Sequence, residues 1–188
     1  GRANPELAEQ MTEYLGLPLG KIAIDNFADG EISCKIVYYG PGMCGKTTNL
    51  QWIHEKLPIK NKGKMLSLAT ETDRTLFFDF LPIEIGSIRG MKTRIQLYTV
   101  PGQVYYVGSR KLVLQGADGV VFVADSDPAL RLQNIESVQN LVANMKQNGL
   151  DIMRTPLVFQ WNKRDVPNAM DVNLMHSDLN PWKAPALE

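Results

Sequence analysis

The sequence predicts an α/β domain, a mainly parallel sheet with helices layered on its faces. Three observations point there. A glycine-rich stretch, "YYGPGMCGKTTN" (38–49), follows an apolar run and opens a helical pattern. Two further apolar runs, "GVVFVAD" (119–125) and "PLVFQWNKRD" (156–165), read as parallel strands covered on both faces. Helical stripes fall between the strands, as a layered arrangement requires.

Taken in order, "NPELAEQMTEYLGLP" reads as a helix. Asn4 serves as N-cap, Pro5 sits at the first helical position, and Leu7, Met11 and Leu15 recur at helical spacing before Gly16. "KIAIDNF" and "ISCKIVYY" read as strands joined by a turn at Asp29-Gly30. Leu50, Ile53 and Leu57 form a stripe ahead of Pro58, and "NKGK" is a polar loop. Residues 76–100 alternate as two long strands joined around Ile88-Arg89-Gly90. Leu132, Ile135, Leu141, Val142 and Met145 predict a helix that ends at Asn148-Gly149.

With 188 residues, 44% hydrophobic and 21% charged, the chain has the composition of a globular domain with a real core. Twenty basic residues balance twenty acidic ones, so the basic excess that nucleic acid attracts is missing. Cys34 and Cys44 are too few for a disulfide framework and fit a reducing cytosol, hence a cytoplasmic protein. No apolar run approaches the ~18 residues of a membrane span. No signal peptide is visible, and the chain starts at Gly1 rather than Met.

Gly40, Gly45, Lys46 and Thr47 fit G-x-x-x-x-G-K-[ST], the pattern of a phosphate-binding loop. Such a loop curls round a polyanion and turns several N–H groups inward, and side chains would block that approach. Backbone N–H groups from Gly42 through Met43, Cys44 and Gly45 to Lys46 would surround the β-phosphate. Thr48 extends the contact at the helix N-terminus, whose partial positive charge adds to it. Lys46 would reach the β- and γ-phosphates, and the Thr47 hydroxyl would bind Mg²⁺. The bland alternative is a glycine-rich turn that binds nothing, and the strand–loop–helix context weighs against it.

The base is read elsewhere. Asn162, Lys163 and Asp165 form N-K-x-D at the tip of the 156–165 strand. A carboxylate there can accept from the N1–H and exocyclic amine of guanine, and adenine offers no such donor pair. The Lys163 stem can lie along the base, and Asn162 can tie the tip to the phosphate loop. Taken alone, N-K-R-D could equally be a solvated turn; its place after a buried strand favours guanine.

Residues 34–188 resemble the MglA family, the small Ras-like GTPases of bacterial gliding motility and polarity. The resemblance is carried by "CKIVYYGPGMCGKTTNLQ", "SLATETDRTLFFDFLP", "LYTVPGQVYY", "SRKLVLQGADGVVFVADS" and "NKRD". It implies a Ras-like P-loop NTPase fold, three layers α/β/α with a mainly parallel central sheet. It also implies GTP and GDP as substrate and product, Mg²⁺ as cofactor, and slow hydrolysis stimulated by a partner. By position, Thr75 would touch Mg²⁺ and the γ-phosphate, and Arg74 would be an arginine supplied from within the chain. Gln103 would orient the attacking water, and Gly102 would sense the γ-phosphate. The partners implied are a roadblock-type activating protein of the MglB kind and effector proteins.

The chain departs from the common GTPase pattern in three places. Where D-x-x-G is usual, Thr99-Val100-Pro101-Gly102 stands, a replacement the family resemblance also implies; Asp79 or Asp73 can supply the missing carboxylate, and sequence leaves both open. The resemblance implies a final base-contacting loop, strand and helix beyond "PALE", so residues 21–188 are expected to form a G domain lacking them. "GRANPELAEQMTEYLGLPLGKIAIDNFADGEIS" resembles the start of ribose-phosphate pyrophosphokinases, with Phe27, Asp29 and Glu31 in that family's adenine-contacting loop. The later catalytic loops of those enzymes are absent. Residues 1–20 are therefore expected to be an appended helical segment.

The remaining candidates are quieter. Cys34 and Cys44 read as packing residues, His54 and His176 have no metal-like partners in sequence, and Trp52, Trp161 and Trp182 read as packing or interface residues. The expected function is a GTP-hydrolysing switch. The rivals are a nucleotide-binding module without effective hydrolysis and a fragment related to the pyrophosphokinases.

Overall fold

The computed structural model describes residues 25–26, 31–61, 63–68, 78–88, 90–102 and 107–188. The expected helix over the first 20 residues, and Arg74, Thr75, Gln103 and Asp73, lie outside the described residues.

The elements, in chain order, are β1 (Asp25–Asn26), β2 (Glu31–Tyr39), α1 (Lys46–Lys56), β3 (Leu66–Leu68), β4 (Phe78–Ile88), β5 (Met91–Thr99) and α2 (Val107–Leu114). They continue with β6 (Gly119–Asp125), α3 (Arg131–Gln147), β7 (Leu157–Asn162), α4 (Val172–Leu179) and β8 (Ala186–Leu187). One sheet runs β3-β4-β5-β2-β6-β7-β8, with β1 paired to β2. The joins β2–β5, β2–β6, β6–β7 and β7–β8 are parallel. The antiparallel joins are β1–β2, β3–β4 and β4–β5. The hairpin predicted over 76–100 is β4–β5, and it turns through Gly90 at φ 83°.

Alternation along β2 divides its side chains between two cores. Ile36 and Tyr38 pack with Leu50, Leu81, Ile83, Ile95 and Leu97, beneath α1. Val37 and Tyr39 join Leu114, Phe122, Leu141, Phe159, Trp161 and Met175 on the opposite face, beneath α2, α3 and α4. The result is the three-layer α/β/α arrangement of a Ras-like P-loop domain, with a mainly parallel sheet in the middle.

The α3 stripe holds at Ile135, Leu141, Val142 and Met145 and fails at Leu132, which is 77% exposed. The buried face holds Asn134, Ser137, Val138 and Asn144 as well as Leu141 and Met145. Three polar side chains thus face inward, and two of them have work there. Asn134 closes a pair of hydrogen bonds with the Asp125 backbone, at 3.0 and 2.8 Å. Asn144 donates to the Tyr39 hydroxyl at 3.0 Å. The sequence reading passed over α2 and α4, each only eight residues long. The start of α4 carries a legible signal, since the Asp171 carboxylate caps it by accepting from the Asn173 and Leu174 N–H groups.

Candidate functional site

β2 delivers the chain from the centre of the sheet into the loop 40–45, and α1 begins at Lys46. Gly45 turns the corner at φ 100°, and a Cβ there would collide with the Asn162 amide. No side chain caps α1 and no acidic residue occupies its first turn. Its N-terminal N–H groups and its dipole are thus left for an anion. Met43 also holds a left-handed φ of 58°. It keeps its side chain outward, 89% exposed, so the loop interior stays backbone.

Lys46 is buried, and its ammonium donates to Pro41 O at 2.5 Å and Gly40 O at 3.2 Å, with Cys44 Sγ at 3.6 Å. Burial pushes its pKa below the ordinary lysine range, partly offset by Cys44. Burial likewise pushes the Cys44 thiol up, so the cysteine is a neutral packing group.

Beside the lysine, one carboxylate gathers three hydroxyls. Asp79, buried on β4, accepts from Thr47 Oγ1 at 2.6 Å, Ser67 Oγ at 2.6 Å and Thr99 Oγ1 at 2.9 Å. The backbone N–H of Asp79 in turn donates to Thr99 Oγ1 at 2.8 Å. Sheet register explains the meeting, because Phe80 pairs with Tyr98 across β4–β5 and so brings Asp79 level with Thr99. Of the two aspartates that sequence left open, Asp79 lies at Thr99, and Asp73 is outside the described residues. The donor set suits a hard cation such as Mg²⁺: Thr47 gives its proton to Asp79 and keeps lone pairs on its oxygen. Among the described residues, no cluster of three or more His, Cys, Asp or Glu forms a metal site of another kind.

The N-K-x-D tip lies on the other flank of the loop. Asn162, the last residue of β7, donates to Cys44 O at 2.7 Å, the tie that sequence anticipated. A second tie was not anticipated: Gln160 donates to Asn49 Oδ1 at 3.0 Å, and Asn49 donates to Gly45 O at 3.0 Å. Lys163 turns at φ 60° and donates to the buried Asp125 carboxylate at 2.6 Å, which fixes its stem across the tip. Asp165 is exposed at the end of the tip. In sequence Asp125 looked like the end of a strand and nothing more.

Gly102 closes the site from below. A Cβ on it would collide with Gly42 Cα, so only glycine allows the two backbones to approach this closely. Pro101 O accepts from Arg110 Nε at 2.7 Å, and Gly102 O accepts from the same guanidinium. Lys46, Thr47, Thr48, Ser67, Asp79, Thr99 and Gly102 line a cavity of about 480 Å³ with Met43, Gly45, Phe78, Val100 and Pro101. The structure therefore brings together Gly40, Gly42, Gly45, Lys46, Thr47, Gly102 and Asn162, with Lys163 and Asp165 following at the tip. Arg74, Thr75 and Gln103 lie outside the described residues.

No protein-family model matches the chain. Among curated proteins, it is 59% identical over 160 residues to the mutual gliding-motility protein MglA of Myxococcus xanthus, covering 85% of this chain and 82% of that relative. It is also 62% identical over 32 residues to ribose-phosphate pyrophosphokinase 1, chloroplastic, of Oryza sativa subsp. japonica, covering 17% of this chain and 8% of that one. Ribose-phosphate pyrophosphokinase of Burkholderia pseudomallei is 50% identical over 36 residues, covering 19% of this chain and 11% of that one. The chain thus spans about a tenth of the pyrophosphokinases it matches. Among the described residues, no helix is long and apolar enough to cross a membrane.

Proposed function

Since the chain belongs to the MglA family of gliding-motility proteins, we propose that it is a guanine-nucleotide switch that hydrolyses GTP to GDP in bacterial polarity or gliding. The observation that carries the reading is the 2.7 Å bond from Asn162 to Cys44 O, which locks a base-reading tip to a phosphate loop. A nucleotide laid across that joint has its phosphates at Lys46 and Thr47 and its base at Lys163 and Asp165.

Each group then has a task. The α1 N-terminus and the Gly42–Lys46 N–H groups hold the β-phosphate. Lys46 moves its ammonium from carbonyl oxygens to phosphate oxygens, a stronger charge-assisted bond. Thr47, with Asp79 behind it, and Thr75 would hold Mg²⁺, which would supply positive charge to the β- and γ-phosphates. Gly102 donates its N–H to the γ-phosphate, Gln103 orients the water for in-line attack, and Arg74 meets the charge that builds up. Asp165 accepts from the two guanine donors.

Asp79 weighs in favour of hydrolysis over a module that only holds nucleotide, because it returns a carboxylate to the place where Thr99 removed one. The short pyrophosphokinase matches favour an appended segment at 1–20 before a G domain at 21–188, rather than a phosphotransferase. A roadblock-type activator of the MglB kind, effector proteins and a cytoplasmic location complete the reading.

Parallel titrations with GTP and ATP test it, together with Asp165→Asn. The wild type is expected to bind GTP and not ATP. Asp165→Asn is expected to lose GTP and gain xanthosine triphosphate, whose base presents an acceptor where guanine has its amine. Equal binding of ATP and GTP would exclude the assignment.

A further inference from the structure

Among the described residues, Arg110 is the largest charged side chain in the core, with 0% exposure. A hydrophobic side chain of similar volume would commonly pack there at no loss of stability. A guanidinium supplies what such a residue cannot: a rigid fork of donors. One side of the fork takes Pro101 O and Gly102 O, two successive carbonyls. Its other terminal nitrogen donates to Asn140 Oδ1 on α3 at 3.0 Å. The plane stands 5.2 Å over the Tyr39 ring. Tyr39 is the last residue before the phosphate loop, and its hydroxyl donates to the same Asn140 oxygen at 2.5 Å. Asn144 closes the network by donating to Tyr39 and Asn140 at 3.0 and 3.1 Å.

The chemistry of the peptide unit gives this clasp a consequence. Pro101 C=O and Gly102 N–H belong to one planar trans peptide and point in opposite directions. A guanidinium that holds the oxygen therefore aims the N–H away from itself, and Gly102 lines the cavity shared with Lys46 and Thr47. The charge of Arg110 also reaches the phosphate loop: after burial, which is the larger cause, it helps push the Lys46 pKa down.

We infer that Arg110 is a positioning residue: held by Asn140 and Tyr39, it fixes the Pro101–Gly102 peptide so that the Gly102 N–H meets the γ-phosphate. The inference rests on the GTP-binding reading above. Arg110 touches no nucleotide atom itself and acts on the triphosphate alone, since GDP has no group at that N–H.

The test measures affinities of the full chain for fluorescent GDP and for a fluorescent non-hydrolysable GTP analogue, with Mg²⁺, in the wild type, Arg110→Lys and Asn140→Ala. Lysine keeps the charge and loses the rigid planar fork that holds both carbonyls and Asn140 at once. Asn140→Ala keeps the arginine, frees it on its far side, and serves if the buried substitution prevents folding. Arg110→Lys is expected to lose about tenfold in affinity for the triphosphate, the worth of one hydrogen bond to a charged oxygen, with a much smaller change for GDP. Asn140→Ala is expected to shift the same ratio in the same direction by a smaller factor. A purely structural clasp would lower both affinities together, in step with the melting temperature, and that result would overturn the inference. So would an unchanged ratio in both variants. A wild type that binds neither nucleotide would instead overturn the GTP-binding reading, and the inference with it.

Discussion

Asp79 is where one residue changes the chemistry most. It accepts from Thr47, Ser67 and Thr99, all within 2.9 Å. Asp79→Ala is expected to weaken Mg²⁺-dependent retention of nucleotide about 10- to 100-fold, the usual effect of losing a group behind a metal ligand. Nucleotide release across an Mg²⁺ titration would measure it, and an unaltered midpoint would remove Asp79 from the metal side. Thr99→Asp, which restores the common GTPase motif, is expected to harm this protein. The new carboxylate faces a like charge and can no longer donate to Asp79, a loss of about 1–3 kcal/mol readable by urea unfolding. Cys34 gives a pH signature. Burial pushes its thiol up to about 12, with Asp118 adding to the shift. The folded chain therefore keeps this proton after the unfolded chain has lost it. The stability the thiol contributes is full below its ordinary pKa of 9.0 and falls away up to about 12. Half-buried Lys35 and buried Lys46, both pushed down chiefly by desolvation, act with the opposite sign. The difference between wild type and Cys34→Ala isolates the thiol, and it is expected to be flat below pH 8 and to shrink above pH 9. The phosphate-loop residues were legible because their spacing is local and rigid. Asp79 was legible only as one of two candidates, and Arg110 not at all, because each acts across strands or helices distant in sequence.

At the scale of elements, hydrophobic period fixed β2, the β4–β5 hairpin, β6, α3 and β7, since each buries a continuous face. It misplaced one residue of α3, Leu132, and passed over the polar part of the buried face, Asn134, Ser137 and Asn144. Amide and hydroxyl groups on a buried face cannot be told from a solvated face until their partners are known. The two leucines of α3 separate the readings. Leu141→Ala, at a fully buried position, is expected to cost about 2–5 kcal/mol. Leu132→Ala is expected to stay within about 0.5 kcal/mol. Denaturant midpoints of the two variants would check both, and equal losses would refute the phase. The short helices α2 and α4 escaped notice because eight residues give little more than two turns of pattern.

The whole molecule joins its two halves at the candidate nucleotide site, where β7 is tied to the glycine-rich loop and α1 through Asn162 and Gln160. Because those ties involve no residue before 31, deletion of residues 1–20 is expected to leave GTP affinity unchanged, checked by titration of the shortened chain; a lost site would make that segment part of the domain. The sheet also bears on how the chain is made. β2 lies at its centre and leaves the ribosome before either neighbour, because β5 ends at Thr99 and β6 at Asp125. At about 5–20 residues per second of synthesis, β2 waits on the order of ten seconds for β6. Through that interval the apolar stretch "IVYYG" lacks its β6 neighbour, so the centre of the sheet stays open on one side until β6 is made.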